Sequence, residues 1–252
     1  MSNLRVSTNL NEKYQDEKLH SLNSPAIIDE DGKEYWYQNG LLHREDGPAI
    51  IDENTEEWYK NGLRHREDGP AIINYSQKLE KWYQNGLLHR EDGPAFKKLL
   101  YNSKKITKWF FNGVLHREDG PAFINYIDKI QEWFINGVLH REDGPAIIND
   151  NQKIEKWYKN GVLHREDGPA IIKFNENIKE WWKNGQLHRE YGPAFINSKK
   201  KIEEWWKNGL KHREDGPAVI NENTFEWWIN GKKINEMDIL DYKKSHTKSA
   251  RK

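Results

Sequence analysis

The chain has 252 residues, no cysteine and a formal net charge of zero. A neutral chain has no long-range positive field that would gather nucleic acid or an anionic membrane. The absence of cysteine excludes disulfides, thiolate metal sites and thiol nucleophiles. Only 35% of the residues are hydrophobic and 32% are charged, which is lean for one large core. Composition therefore favours a thin structure whose parts bury apolar surface against their neighbours.

A block of fourteen residues occurs eight times in the chain. Its pattern is Trp-aromatic-x-Asn-Gly-x-x-His-Arg-Glu-Asp-Gly-Pro-Ala, and one copy runs from Trp157 to Ala170. Tyr191 replaces the aspartate in one copy. All nine prolines fall in this register, mostly 24 residues apart. A fixed period of this length is typical of a stacked array of one supersecondary unit.

The ends of the chain depart from the repeat. His20 with Pro25 forms an eroded opening half-copy, and Trp227 begins a closing half-copy. We therefore predict three segments: a polar N-terminal lead over residues 1–18, the repeat array over 19–234, and a cap helix with a basic tail over 235–252. Asn235 is the expected N-cap of that short C-terminal helix.

The Asn-Gly pair predicts a β-hairpin in each repeat. A type I′ turn needs positive φ at both central residues, and Asn-Gly is the sequence that best tolerates this. Pairing outward from Asn160-Gly161 places three pairs opposite each other: Lys159 with Val162, Tyr158 with Leu163, and Trp157 with His164. The sequence Asp167-Gly168-Pro169 then predicts a bend, at which glycine permits positive φ.

These hairpins predict an all-β fold. We expect two strands per repeat and an elongated, twisted antiparallel array of about nine hairpin repeats of ~24 residues, advancing about 10 Å per repeat. The insertion between Lys97 and Lys105 falls in the variable turn between repeats, where extra residues cost little. A compact solenoid with one coil per repeat is the alternative architecture.

The Trp-x-x-Asn-Gly-x-x-His pattern resembles MORN-type repeats, which are short β-hairpin units. In the second half, where those repeats typically carry His-Gly-x-Gly, this chain has His-Arg-Glu-Asp-Gly-Pro-Ala. It is more similar to the divergent His-Arg-Glu-Asp-Gly-Pro-Ala arrays encoded by giant viruses and some phages. The resemblance spans residues 19–234. It implies a hairpin array that serves as a scaffold, a dimerisation module or a lipid-binding surface.

The adjacent His, Arg, Glu and Asp invite a catalytic interpretation, but a structural one is favoured. Catalysis needs one distinct pocket, whereas these residues recur eight times. We expect Arg to stack on Trp or pair with Glu or Asp, and His to donate to a neighbouring carbonyl or carboxylate. Eight of the eleven arginines are the arginine of the His-Arg-Glu sequence, which indicates a role that lysine cannot fill. We predict no catalytic, cofactor-binding or metal-ligating residue.

The function expected from these features is a non-enzymatic scaffold that mediates protein–protein interaction or self-assembly. The alternative is a peripheral module that binds phospholipid at a membrane surface. The expected partner is a protein or another copy of the chain, and nucleic acid is not expected. The sequence has no evident signal peptide or membrane span, so a cytoplasmic location is expected, in host cytoplasm or virion if the gene is viral. The candidate interaction surface consists of the doubled tryptophans of the C-terminal third: Trp181, Trp182, Trp205, Trp206, Trp227 and Trp228.

Overall fold

The computed structural model describes residues 14–15 and 18–235. Within them the chain is all-β, apart from two three-residue 3-10 turns at Tyr101–Ser103 and Phe174–Glu176. The predicted all-β antiparallel repeat fold is confirmed. The chain divides into two compact units: the first holds the described residues up to Ile127 together with Ile135–Gly137, and the second holds Asp128–Phe134 and the described residues from Val138 onward.

The first unit contains a main sheet in which each strand pairs antiparallel with the next along the sheet. Its strands are Ile27–Ile28, Glu34–Tyr35, Ile50–Ile51, Thr55–Glu57, Ile72–Asn74, Leu79–Lys81, Phe96–Leu99, Lys105–Lys108 and Phe123–Asn125. As predicted, the insertion lies in a turn: it lengthens the hairpin formed by Phe96–Leu99 and Lys105–Lys108.

The second unit contains a main sheet of the same design. Its strands are Ile130–Glu132, Ile147–Asn149, Ile154–Lys156, Ile171–Lys173, Ile178–Glu180, Phe195–Asn197, Ile202–Glu204, Val219–Ile220, Phe225–Ile229 and Lys232–Ile234. Isoleucine, valine and phenylalanine dominate these strands because branched and aromatic side chains pack well on a pleated surface.

The Asn-Gly turns form a separate set of short hairpins, which we call the Asn-Gly hairpins. The paired strands are Tyr37–Gln38 with Leu41–Leu42, Tyr59–Lys60 with Leu63–Arg64, Tyr83–Gln84 with Leu87–Leu88, Phe110–Phe111 with Val114–Leu115, Tyr158–Lys159 with Val162–Leu163, Trp182–Lys183 with Gln186–Leu187, and Trp206–Lys207 with Leu210–Lys211. Phe134–Ile135 and Val138–Leu139 are also strands. Asn160 has φ 50° and Gly161 φ 80°, so the predicted turn and register are confirmed.

The expectation of two strands per repeat needs correction, because in each complete repeat the strand that contains the tryptophan is interrupted there. The Trp157 N–H donates to the Ala170 carbonyl at 2.8 Å, whereas the Trp157 carbonyl accepts from the His164 N–H at 3.2 Å. The backbone of one residue thus joins two different pairings, and residues 165–169 loop out between them. A complete repeat therefore has four short strands, two in a main sheet and two in an Asn-Gly hairpin.

Alanine is the residue at the centre of each repeat. The nine alanines of the Pro-Ala pairs are fully buried, and no large side chain among the described residues is buried to the same degree. They are Ala26, Ala49, Ala71, Ala95, Ala122, Ala146, Ala170, Ala194 and Ala218. In all of them but Ala26 the carbonyl accepts a hydrogen bond from the tryptophan N–H of the same repeat, so the backbones lie close together and a small methyl group fits between them. The core is correspondingly thin, as the lean composition predicts.

The two terminal segments are described only in part. Across the predicted boundary between lead and array, Tyr14–Gln15 pairs antiparallel with Lys18–Leu19. The predicted cap helix and basic tail lie outside the described residues, apart from Asn235. The proposed boundaries at 18 and 235 stay predictions.

Candidate functional site

The looped-out segment of each complete repeat carries the His-Arg-Glu-Asp-Gly sequence, and we call it the arginine loop (residues 164–168 in the copy that begins at Trp157). Its arginine lies over the ring of the tryptophan of the same repeat. Arg165 Cζ is 4.1 Å from the centroid of the Trp157 ring. The same contact, at 3.7–4.3 Å, recurs in all eight copies.

Two hydrogen bonds fix the guanidinium over the ring. Arg165 Nε donates to Asp167 Oδ1 at 2.8 Å, and Arg165 Nη1 donates to the Pro169 carbonyl at 3.3 Å. The hydrogen bond from Arg165 Nε and the arginine charge hold the pKa of the Asp167 carboxyl below its usual range. The predicted stacking and pairing of arginine are both confirmed. A lysine ammonium could not lie flat on the ring and donate in these directions together.

Glycine in the arginine loop makes room for the guanidinium. The expected positive φ is wrong at Gly168, which has no such backbone angle. Instead, a Cβ at this position would lie 2.9 Å from Arg165 Cζ. The arginine is therefore held between an indole ring on one side and a bare Cα on the other.

Histidine links each repeat to the next. His140 Nδ1 accepts a hydrogen bond from the Asn160 backbone N–H at 3.1 Å, and His140 Nε2 lies 3.1 Å from Glu142 Oε1. Asn160 Oδ1 also lies 2.9 Å from Nδ1, so this nitrogen faces a donor and an acceptor of one residue. The backbone N–H bond requires an unprotonated Nδ1 and therefore a proton on Nε2. The predicted contact to a carboxylate is confirmed. The link from Nδ1 to the following Asn-Gly turn was not predicted from the sequence, because its partner is 20 residues away.

The copy with tyrosine tests which of these contacts are essential. Arg189 stacks on Trp181 at 3.9 Å and donates to the Pro193 carbonyl at 3.1 Å, although no aspartate is present. Burial lowers the pKa of Arg189. Gly192 has φ 99°, whereas the corresponding glycines of the other arginine loops have no positive φ. The stack therefore survives loss of the carboxylate, whereas the loop backbone changes.

Successive arginine loops enclose open grooves within each unit. Four of them, with volumes of about 400–590 Å³, have the same lining: two arginine loops as walls and the tryptophan of the second repeat between them. The residue before Asn-Gly also lines each groove. It is a lysine in three of them, Lys60, Lys159 and Lys207, and Phe111 in the fourth. The sequence could have indicated this difference, since only alignment of the repeats is needed to find it.

Tyr59, in the groove beside Lys60, shows how the hairpin side chains are held. Its hydroxyl donates to Glu57 Oε2 at 3.0 Å, and Arg64 Nε donates to the same oxygen at 3.1 Å. Burial, together with the Glu57 charge, raises the pKa of Tyr59 to about 12. The phenol therefore remains a hydrogen-bond donor at neutral pH.

The doubled tryptophans do not form one surface, because adjacent residues of a strand point to opposite sides. Trp181 and Trp205 lie beneath arginines of their own loops. Trp182, Trp206 and Trp228 instead donate their indole N–H groups to glutamates two residues earlier, at 2.8–2.9 Å.

Trp227 differs from both groups of tryptophans. It lies in the uninterrupted strand Phe225–Ile229, opposite Ile234. All six tryptophans of the predicted surface are half-buried.

Within residues 14–15 and 18–235, no group of three or more His, Cys, Asp or Glu side chains is placed to hold a metal ion. No helix in that part of the chain has the length and hydropathy needed to cross a membrane. No family model matches the chain, and no curated protein matches it.

Proposed function

We propose that this chain is a non-enzymatic repeat scaffold that binds protein partners or assembles with copies of itself. The repeated use of the His, Arg and Asp side chains carries this proposal. In each complete repeat His Nδ1 accepts a backbone N–H and the arginine stacks on tryptophan. Groups held in this way serve the fold, and a reacting group would need freedom to exchange protons or bonds with a substrate.

Exposed apolar side chains on the Asn-Gly hairpins support a role in protein binding. The residue after the turn is aliphatic and 43–51% exposed in seven repeats. Regular exposed apolar groups among polar ones are typical of surfaces that bind proteins. They are Leu41, Leu63, Leu87, Val114, Val138, Val162 and Leu210.

Where the second aromatic of the repeat is a tryptophan, it adds area to the same proposal. Lys211 Nζ lies 5.3 Å from the Trp206 ring centroid and 5.5 Å from that of Trp228. Half-buried tryptophans bordered by charged side chains are common in protein interfaces. We therefore keep Trp182, Trp206 and Trp228 in the proposed interaction surface and assign Trp181 and Trp205 to the fold. The resemblance to MORN-type repeats supports the scaffold role.

A binding experiment with tryptophan variants tests the proposal. Tyrosine stands at the hairpin position in Tyr59, Tyr83 and Tyr158, so Trp182→Tyr with Trp206→Tyr should preserve the fold. Sedimentation velocity across a wide concentration range measures self-association, and a lysate-derived partner is measured by saturable binding of the purified pair. We expect the double variant to weaken whichever association the intact chain shows.

A chain that stays monomeric at every concentration and binds no protein saturably would contradict the proposal. Flotation with anionic vesicles provides the contrasting result, since it would favour lipid binding. Tyr83→Phe serves as the control, because it changes a hairpin aromatic outside the proposed surface.

A further inference from the structure

The four grooves between arginine loops share one design but differ in the residue that precedes Asn-Gly. The residue before Asn-Gly is Lys60, Lys159 or Lys207 in three grooves and Phe111 in the fourth. Apart from Tyr191, which replaces an aspartate in the groove at Lys207, the wall residues follow the repeat, so the groove at Phe111 alone among the four lacks the lysine.

The groove lined by Lys159 indicates what chemistry its walls accept. Lys159 Nζ lies 3.5 Å from Glu142 Oε2, on the arginine loop of the preceding repeat. The chain's own ammonium group thus occupies the groove beside the glutamate of its wall.

The groove at Phe111 has the same acidic walls without that lysine. Glu91 and Glu118 are 80% and 87% exposed, and each has a histidine Nε2 at 3.8 Å as its ion-pair partner. The first of these histidines, His89, is only 6% exposed, and its Nε2 makes no hydrogen bond within the described part of the chain. This groove therefore presents two solvated carboxylates on its walls, and the lysine of the other three grooves is absent from it.

Phe111 supplies an aromatic surface to this groove. Its side chain is 42% exposed. Its ring lies 4.8 Å from the ring of His89 and 5.9 Å from that of His116, measured between centroids. These two histidines fix the ring against the walls while part of it faces solvent. An aromatic face beside carboxylates attracts a cation through the ring quadrupole and through charge.

We propose that the groove at Phe111 binds a cationic side chain, a lysine or arginine of a partner protein. The ammonium or guanidinium group lies against Phe111 and pairs with Glu91 and Glu118. It takes the place that Lys159 fills in its own groove. This inference rests on the proposed scaffold function and names the chemistry by which the scaffold recognises its partner.

Titration of the full chain with short peptides tests the proposal. The probes are acetyl-Ala-Lys-Ala-amide, its arginine counterpart and a neutral norleucine peptide of the same length. Aromatic resonances of Phe111 and side-chain resonances of Glu91 and Glu118 report occupancy. We expect saturable shifts with both cationic peptides and none with norleucine. Glu91→Gln or Glu118→Gln should weaken binding about threefold to tenfold.

Two variants use residues that the array already places at this position. Phe111→Lys fills the groove with its own ammonium, so it should abolish binding and keep the unfolding midpoint. Lys159→Phe opens the corresponding groove beside Glu142 and should create a second site of similar affinity. Glu166→Gln in the unmodified chain is the control for charge alone and should leave binding at Phe111 unchanged.

Lack of a saturable shift with the cationic peptides would overturn the proposal, and so would equal binding by Phe111→Lys. Either result leaves the scaffold function standing if the chain still binds a protein or self-associates. Conversely, peptide binding at Phe111 in a chain that never associates with a protein would overturn the scaffold function and not the cation site.

Discussion

Arg141 and Gly144 occupy adjoining space in one arginine loop. A Cβ added to Gly144 would lie 2.9 Å from Arg141 Cζ, and this same carbon lies 4.1 Å from the Trp133 ring centroid. The guanidinium therefore needs both the indole ring and the space left by the missing side chain of the glycine. Its backbone has no positive φ, so space and not backbone conformation explains why glycine is used here.

Gly144→Ala should destabilise the protein, because the methyl group displaces the guanidinium from the ring and from Asp143. We expect a loss of about 1–2 kcal/mol in the free energy of unfolding. A loss of stability would be informative, because replacing a glycine of ordinary, negative φ by alanine otherwise stabilises a protein by roughly 0.4–1 kcal/mol. Denaturant unfolding of the two proteins measures the difference.

The matched control for this substitution is a double-mutant cycle with Arg141→Ala. Once the guanidinium is absent, Gly144→Ala has nothing to displace and should become neutral or stabilising. Equal costs of Gly144→Ala in both backgrounds would mean that the methyl group collides with something other than Arg141.

His140→Ala should weaken the link between successive repeats. The variant removes the acceptor of the exposed Asn160 N–H, at a cost of about 0.5–1.5 kcal/mol in unfolding free energy. His140→Asn should recover part of this, because the asparagine oxygen can take the place of Nδ1. Nitrogen shifts of the imidazole at neutral pH should report a proton on Nε2. A proton on Nδ1 would contradict the assigned hydrogen bond.

Asp143 should make stability fall in acid. The hydrogen bond from Arg141 Nε, together with the arginine charge, lowers the pKa of Asp143 in the folded protein. A lowered folded pKa contributes stability above the unfolded value, about 4, and this contribution is lost as the pH falls through the folded pKa. Denaturant midpoints at several pH values should therefore fall less steeply below about pH 4 for Asp143→Asn than for the unmodified chain.

The copy that lacks this aspartate provides the reverse experiment. Tyr191→Asp places a carboxylate beside Arg189, so the acid dependence should become steeper. Parallel pH profiles for the unmodified chain, Asp143→Asn and Tyr191→Asp would exclude the arginine–aspartate pair as the cause.

Sequence reasoning succeeded where the signal is local. Asn160-Gly161 defines its own turn and therefore the register of the residues beside it. The break at Trp157 could not be predicted in this way, because it depends on a bond to Ala170, thirteen positions along the chain. Nor could the role of Gly168 be predicted, since the space it leaves is needed only once Arg165 is stacked.

The environments of the doubled tryptophans could be predicted only in part for the same reason. The sequence shows that residues 181 and 182 are both tryptophan. Alternation along a strand nevertheless assigns Trp181 to the arginine stack and Trp182 to the hairpin. The distinctive groove at Phe111 is also visible once the repeats are aligned, but its meaning requires the contact between Lys159 and Glu142.

Arginine should be required in the loops and not elsewhere. Arg141→Lys loses the flat stack on Trp133 and the bonds from Nε and Nη1, which are 2.8 Å and 3.3 Å long. We expect a cost of about 1–2 kcal/mol in unfolding free energy. Arg64 is the control: it is 40% exposed and its Cζ lies 5.5 Å from the Tyr59 ring centroid. An ammonium at position 64 can still pair with Glu57, so Arg64→Lys should cost less than about 0.5 kcal/mol. Equal costs at the two positions would mean that charge alone, and not the shape of the guanidinium, explains why the loops carry arginine.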